Sequence, residues 1–208
     1  MGRDRGRLGS ARPARADAHG GDPVTTYRTI VADPPWRYDT TRPLAGSKRG
    51  GAEYQYPTLA LAEIAALRPP AADDAHLYLW ATNPLLFEAR EVVTAWGFRY
   101  VTLLTWHKLG APGMGFYFRG DTEHVLFAVR GKAPIDPALR VSNHFAAPRT
   151  GHSAKPDRFY EIVEHVSPEP RLEMFARRRR VGWDVWGDEA PPEAEARTQV
   201  PLFAEGAA

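Results

Sequence analysis

The stretch Asp33-Pro34-Pro35-Trp36 carries the most chemical information in this chain. Proline fixes φ at about −65° and lacks an amide hydrogen, so the turn is stiff and its carbonyls are expected to stand free as acceptors. A carboxylate precedes the prolines and a flat aromatic follows them. A carboxylate and a carbonyl can each accept one N–H of a planar amine while an aromatic face stacks on its ring. The exocyclic amine of a nucleobase needs such a grip, because its lone pair is delocalised into the ring and nucleophilically weak. Holding both hydrogens favours a pyramidal nitrogen whose lone pair points at an electrophile. The gain comes from orientation and preorganised electrostatics. The bland alternative is a rigid loop with a chance acid and aromatic; its place directly after a short strand argues for function.

The elements that position this turn are readable from periodicity. Residues 27–32 form a short strand rich in β-branched residues. Thr58 is expected to cap a helix that runs to about Leu67. A buried-type strand spans 76–81. Thr82 is expected to cap a helix with Pro84 in its first turn, stopped by Gly97. Further strands are expected over 98–106, 123–129, 171–176 and 183–186. Ser153 is a candidate cap for a helix with Pro156 near its start and Val166 near its end. Alternating strands and helices with nearly continuous apolar strands predict a mostly parallel α/β sheet covered on both faces. Ligands of such sheets bind beyond the carboxyl ends of the strands.

Composition bounds the rest. The chain has 208 residues, 43% hydrophobic and 25% charged, which suits one ordinary domain. Residues 1–26 and 190–208 read as disordered tails around a folded region at 27–189. There are no cysteines, which excludes a disulfide framework and a thiolate zinc site. The histidines lack ligand spacing, so no metal is expected. No apolar run approaches the roughly 20 residues of a membrane span, and no secretory signal is visible. A cytoplasmic protein is the expectation. Net charge is only +2, but arginines cluster within the first fifteen residues and again at Arg177–Arg180, where phosphate contact and simple solvation are equally good readings.

Several motifs occur in an order that resembles the MTA-seventy group of N(6)-adenine methyltransferases, of bacterial or phage type. They are Ala32-Asp33-Pro34-Pro35-Trp36, Tyr56-Pro57-Thr58, Leu77–Trp80, Thr105-Trp106-His107-Lys108 and Glu123-His124. Lys155-Pro156-Asp157, Glu173-Met174-Phe175-Ala176-Arg177 and Gly182–Glu189 complete the series. The resemblance implies a Rossmann-like, seven-stranded methyltransferase sheet with the catalytic half before the cofactor half. It implies S-adenosyl-L-methionine as cofactor and nucleic acid as partner. It places Asp33, Pro34, Pro35, Trp36 and Tyr56 at the catalytic centre. Lys155 is then expected to pair with the cofactor's carboxylate, and Asp33, Arg177, Arg179, Asp188 and Glu189 to contact the cofactor. The Asp188-Glu189 pair departs from the amide pair of the human-type enzyme, although carboxylates can accept both hydroxyls of a ribose.

Lys108 follows a strand end and is a candidate for substrate phosphate. Lys48 and Arg49 lie in a glycine-rich segment, Thr40–Tyr54, that reads as a flap near a nucleic-acid backbone. Residues 110–120 are too long and too aromatic for a simple turn, and are expected to move over the substrate. Adenine N(6) methylation is the leading reading, with DNA ahead of RNA. Cytosine N(4) methylation and a non-catalytic nucleic-acid-binding subunit are the alternatives. A homo- or hetero-oligomer stays open.

Overall fold

Burial along the central strands is continuous, which requires cover on both faces of the sheet. In the computed structural model, which describes residues 25–37, 58–113, 117–149 and 154–187, that cover is present. Strand β1 (Tyr27–Ala32) leads through helix α1 (Leu61–Ala66) to β2 (Ala71–Ala81), and α2 (Leu86–Ala95) leads to β3 (Arg99–Leu109). Then follow β4 (Thr122–Arg130), β5 (His144–Pro148), α3 (Asp157–Val166), β6 (Arg171–Met174) and β7 (Asp184–Trp186). Side chains alternate faces with period two. Ile30, Leu77, Leu79, Leu126 and Leu172 pack with Ile64 of α1 and with Val92, Val93 and Trp96. Val31, Tyr78, Trp80, Val125 and Phe127 pack with Phe159, Tyr160 and Val163 of α3.

The strand order is β5-β3-β4-β2-β1-β6-β7. Strand β4 runs antiparallel to β2 and β3, and every other pair is parallel. From β1 the chain first moves towards β2, and later returns to the other side of β1 as β6 and β7. The order therefore reverses between β1 and β6, and a crevice opens beyond their carboxyl ends. Ala32 at the end of β1 is in register with Leu79 and Met174, so Asp33 emerges at that crevice.

Most elements match the sequence reading, although β2 starts five residues earlier than expected, β3 runs three residues further and β6 stops two residues sooner. Strand β5 is additional to the strands expected from the sequence; its five residues include a histidine and a proline at the ends, and only Phe145 and Ala147 are buried. Helix α1 is capped at Ala60, whose N–H is bonded by Glu63, and not at Thr58. Helix α2 is preceded by one 3₁₀ turn, Asn83–Leu85, which accommodates Pro84. Gly97 ends the helix as expected, with a φ of +79° that suits glycine. No helix among the described residues is long and apolar enough to cross a membrane.

A buried polar chain locks α3's exit to β2. Tyr78 Oη lies 2.7 Å from Ser167 Oγ, which lies 2.8 Å from His76 Nδ1. His76 Nε2 lies 2.8 Å from the Ala133 carbonyl, which can only accept, so Nε2 carries the hydrogen and Nδ1 accepts from Ser167. Burial pushes this imidazole's pKa below its ordinary 6.5, against the pull of the Ala133 bond. The unfolded chain then binds the proton more readily than the folded one just below pH 6.5. Stability contributed here is full above that pH and falls as acid is added. The urea midpoint is expected to drop between about pH 7 and 5.5, with a shallower drop in His76→Phe. Equal slopes in the two proteins would refute the assignment.

Candidate active site

The apolar strand β1 stops at Asp33 because two prolines follow it. The turn they make is held on both sides. The Trp36 N–H donates to the Pro34 carbonyl at 2.8 Å, and the Leu59 N–H donates to the Pro35 carbonyl at 2.8 Å. The expectation of free carbonyls is thus corrected: each is already engaged, although a carbonyl oxygen retains a second lone pair. Trp36 is also placed differently from the expected stacking face. It is buried at 7% exposure, and its indole N–H donates to the Trp80 carbonyl at 3.0 Å. It acts as a strut that fixes the turn against β2.

Asp33 ends a chain of alternating charges. Lys155, just before α3, places its ammonium 3.0 Å from Asp33 Oδ2 and 2.6 Å from Glu123 Oε1. The other oxygen of Glu123 receives Lys108 Nζ at 2.7 Å. Glu123 reaches this place because β4 is antiparallel, which brings its first residues to the carboxyl ends of its neighbours. The lysines also lie over indoles, Lys155 at 4.7 Å from the Trp80 ring and Lys108 at 5.0 Å from the Trp106 ring. Lys155 and Glu123 side chains are 8% and 10% exposed, whereas Asp33 keeps 26% of its surface open. Lys108, at 20%, is the other partly open member, and of the two Asp33 is the one that stands at the end of β1, on the crevice.

The charges tune one another. Burial would pull Lys155 down, but Asp33 and Glu123 outweigh it and hold the ammonium charged. Burial would push Glu123 up, but Lys155 and Lys108 hold it below the ordinary carboxylate range. For Asp33 burial wins over the pull of Lys155, with Glu123 adding to the rise, so its carboxyl lies above that range. A carboxylate made more basic by its surroundings is a better proton acceptor.

Across the switch point, β6 ends at Met174 and the backbone turns through Phe175 at φ +62°, a conformation rare for an aromatic residue. Backbone strain of this kind gathers at ligand sites. The Phe175 ring meets Trp186 edge-on at 5.2 Å. Gly187 passes so close that a Cβ there would stand 2.9 Å from the Ala176 nitrogen. Glu173 is buried; Tyr160 Oη donates to its Oε1 at 2.6 Å, while Oε2 has no hydrogen-bond partner. An orphaned buried carboxylate oxygen beside a crevice fits a ligand that brings hydroxyl or ammonium donors.

The structure brings Asp33, Lys155 and Lys108 together, and Arg177 lies near enough to act on Asp33 electrostatically. Lys155, expected to meet a cofactor carboxylate, is flanked by two protein carboxylates with one N–H left over. Lys108 is held by Glu123 and is not a free phosphate contact. Arg179 is half-buried in the run after β6. Its neighbours Arg178 and Arg180 both bond Asp157 and pack over the Tyr160 ring, so half of that arginine cluster is internally neutralised. Tyr56, Lys48, Arg49, Asp188 and Glu189 lie outside the described residues. Sequence reasoning missed Glu123 and Glu173 as site residues. The signals available were an acid opening or crossing an otherwise apolar strand and the place of both residues in the ordered family motifs.

A largely parallel sheet with one inserted antiparallel strand, and an acidic turn at its switch point, define a Rossmann-like methyltransferase fold. The chain belongs to the MT-A70 family, whose model matches residues 27–189. It is 35% identical to the type II methyltransferase M.MunI of a Mycoplasma species, over 81% of this chain and 80% of that one. It is 32% identical to the N6-methyladenosine RNA methyltransferase MTA1 of Cryphonectria parasitica, over 78% of this chain and 51% of the relative. It is 28% identical to the human N(6)-adenosine-methyltransferase catalytic subunit METTL3, over 78% of this chain and 28% of the relative. The chain thus matches M.MunI in extent and spans about half of the fungal protein and little more than a quarter of the human one. It is a methyltransferase, and family membership implies S-adenosylmethionine as the methyl donor.

Proposed function

We propose that this chain transfers a methyl group from S-adenosylmethionine to the N(6) amine of adenine in nucleic acid, with DNA ahead of RNA. The observation that carries the reading is Asp33, open to the crevice at the switch point and anchored by buried Lys155. The preference for DNA is supported by the match in extent to a type II methyltransferase.

What the donor supplies when bound is an electrophilic methyl on a positively charged sulfur. Asp33, Lys155, Glu173 and Arg177 are the described residues that would hold it. Asp33 accepts one N–H of the amine, and the remaining lone pair of the Pro34 carbonyl accepts the other. Lys155 fixes the carboxylate's position through a charged bond. The amine's hydrogens become acidic only as its nitrogen gains a bond, and Asp33, the more basic carboxylate here, is placed to accept the proton. The bond from the Trp36 indole to the Trp80 carbonyl keeps the turn rigid.

The test is incubation of the whole protein with isotopically labelled donor and duplex DNA, single-stranded DNA or RNA, followed by mass analysis of the nucleosides. N6-methyladenine in DNA is the expected product. Methyladenosine in RNA alone would reverse the order of substrates. N4-methylcytosine, or no labelled base while the donor binds, would overturn the reading.

A further inference from the structure

The connection between β3 and β4 is anchored at the charged cluster, because Lys108 and Glu123 stand at its two ends. It closes as a hairpin: the Lys108 N–H donates to the Asp121 carbonyl at 2.6 Å and the Gly113 N–H to the Gly120 carbonyl at 2.8 Å. Beyond that closure stand Tyr117 and Phe118, at 91% and 90% exposure. Two adjacent aromatics left almost wholly in water forgo about 1.5–3 kcal/mol each of burial. Exposed apolar surface of this kind marks a binding site when it is contiguous.

The surroundings say what would bind. Arg119 follows directly and donates to the carbonyls of Pro112 at 2.8 Å and Gly113 at 3.2 Å. Those acceptors are neutral, so its positive charge stays available to a phosphate. The Arg149 guanidinium lies beside Gly113, 3.5 Å from where a Cβ would stand. Flat apolar rings next to cations match the alternation of bases and phosphates, and aromatic stacking tolerates any base. A base buried in a duplex cannot reach Asp33 without leaving the stack, and its removal leaves a gap that an apolar wedge can hold.

The geometry points to Tyr117 and Phe118 as a base-stacking wedge that contacts nucleotides flanking the target in duplex nucleic acid. The assignment rests on the nucleic-acid reading above. Because both side chains are exposed, the Tyr117→Ala/Phe118→Ala double variant keeps the fold. With a duplex that the protein methylates, the variant's kcat/KM is expected to fall about tenfold or more, against less than about threefold on the matching single strand. Equal losses on the two strand forms, or no loss, would overturn the wedge.

A second arm needs no methyl transfer. Anisotropy of fluorescein-labelled duplexes is expected to show the unaltered protein binding a singly mismatched duplex at least about threefold tighter than a matched one, because the mismatch lowers the unstacking cost. The variant should lose that preference. If no strand form is methylated, the proposed function fails while this arm still decides the wedge. No mismatch preference in either protein overturns it. Sedimentation of the variant completes the test: an unchanged oligomeric state is expected, and loss of an oligomer with nucleic-acid binding intact would place a protein partner on the aromatics instead.

Discussion

Replacing Asp33 with asparagine is expected to slow methyl transfer about a hundredfold to a thousandfold and to change the protein's stability little. The rate loss follows from geometry. Asparagine keeps the shape but presents either a weaker acceptor or an N–H donor to the amine, and it cannot take the proton. The stability follows from the electrostatics. Burial raises the Asp33 pKa and so opposes its ionised form in the fold, while the same carboxylate helps to hold Lys155 charged, and the two effects offset each other. Lys155 does not lose its place, because Glu123 still holds it at 2.6 Å. Initial rates with labelled donor, donor binding by calorimetry and thermal melting separate the effects. Retention of more than about a tenth of the activity, or a large drop in melting temperature, would remove Asp33 from the reacting centre.

What could be read from the sequence was local. The apolar run ending in two prolines places Asp33 at a strand end without any tertiary knowledge. Gly97 and Pro156 bound helices for reasons internal to a few residues. What could not be read was long-range. Trp36 looks like a free stacking face until Trp80, 44 residues away, is seen to accept its indole N–H. The arginine run 177–180 looks like a phosphate patch until Asp157 is seen to take two of its members. Glu123 looks like the polar start of a strand, since nothing nearby reveals that β4 runs against its neighbours. That single reversal brings its carboxylate to Lys155, 32 residues on, and to Lys108. The family resemblance located the motifs in order but not the bonds between them.

Glu123 is a positioning residue, and its replacement has the largest expected effect on stability. It stands between two ammonium groups, one on each carboxylate oxygen. Glu123→Gln leaves Lys155 with Asp33 alone and Lys108 with no described acidic partner, at a place where solvent reaches little of either. Removing one partner of a buried pair costs about 3–5 kcal/mol, since the remaining charge is desolvated and uncompensated. In a domain of this size that lowers the melting temperature by roughly 10 °C. The acid side of the stability curve should change as well. The Glu123 pKa is held down by Lys155 and Lys108 despite burial, so its contribution is present above the ordinary 4.5 and is lost as pH falls through the lower folded value. The variant should lack that step. A second substitution tells a charge effect from a packing effect. Lys108→Met removes the stranded cation but keeps an unbranched side chain to lie over the Trp106 ring. In the Glu123→Gln background it is expected to restore about half of the lost stability or more, whereas in the unaltered protein it should destabilise by unpairing Glu123 from one side. Urea denaturation of the four proteins gives the coupling directly. Additive effects would mean that the two side chains act independently. The alternating charge chain would then be a consequence of the fold, and Asp33 would owe its position to Lys155 alone.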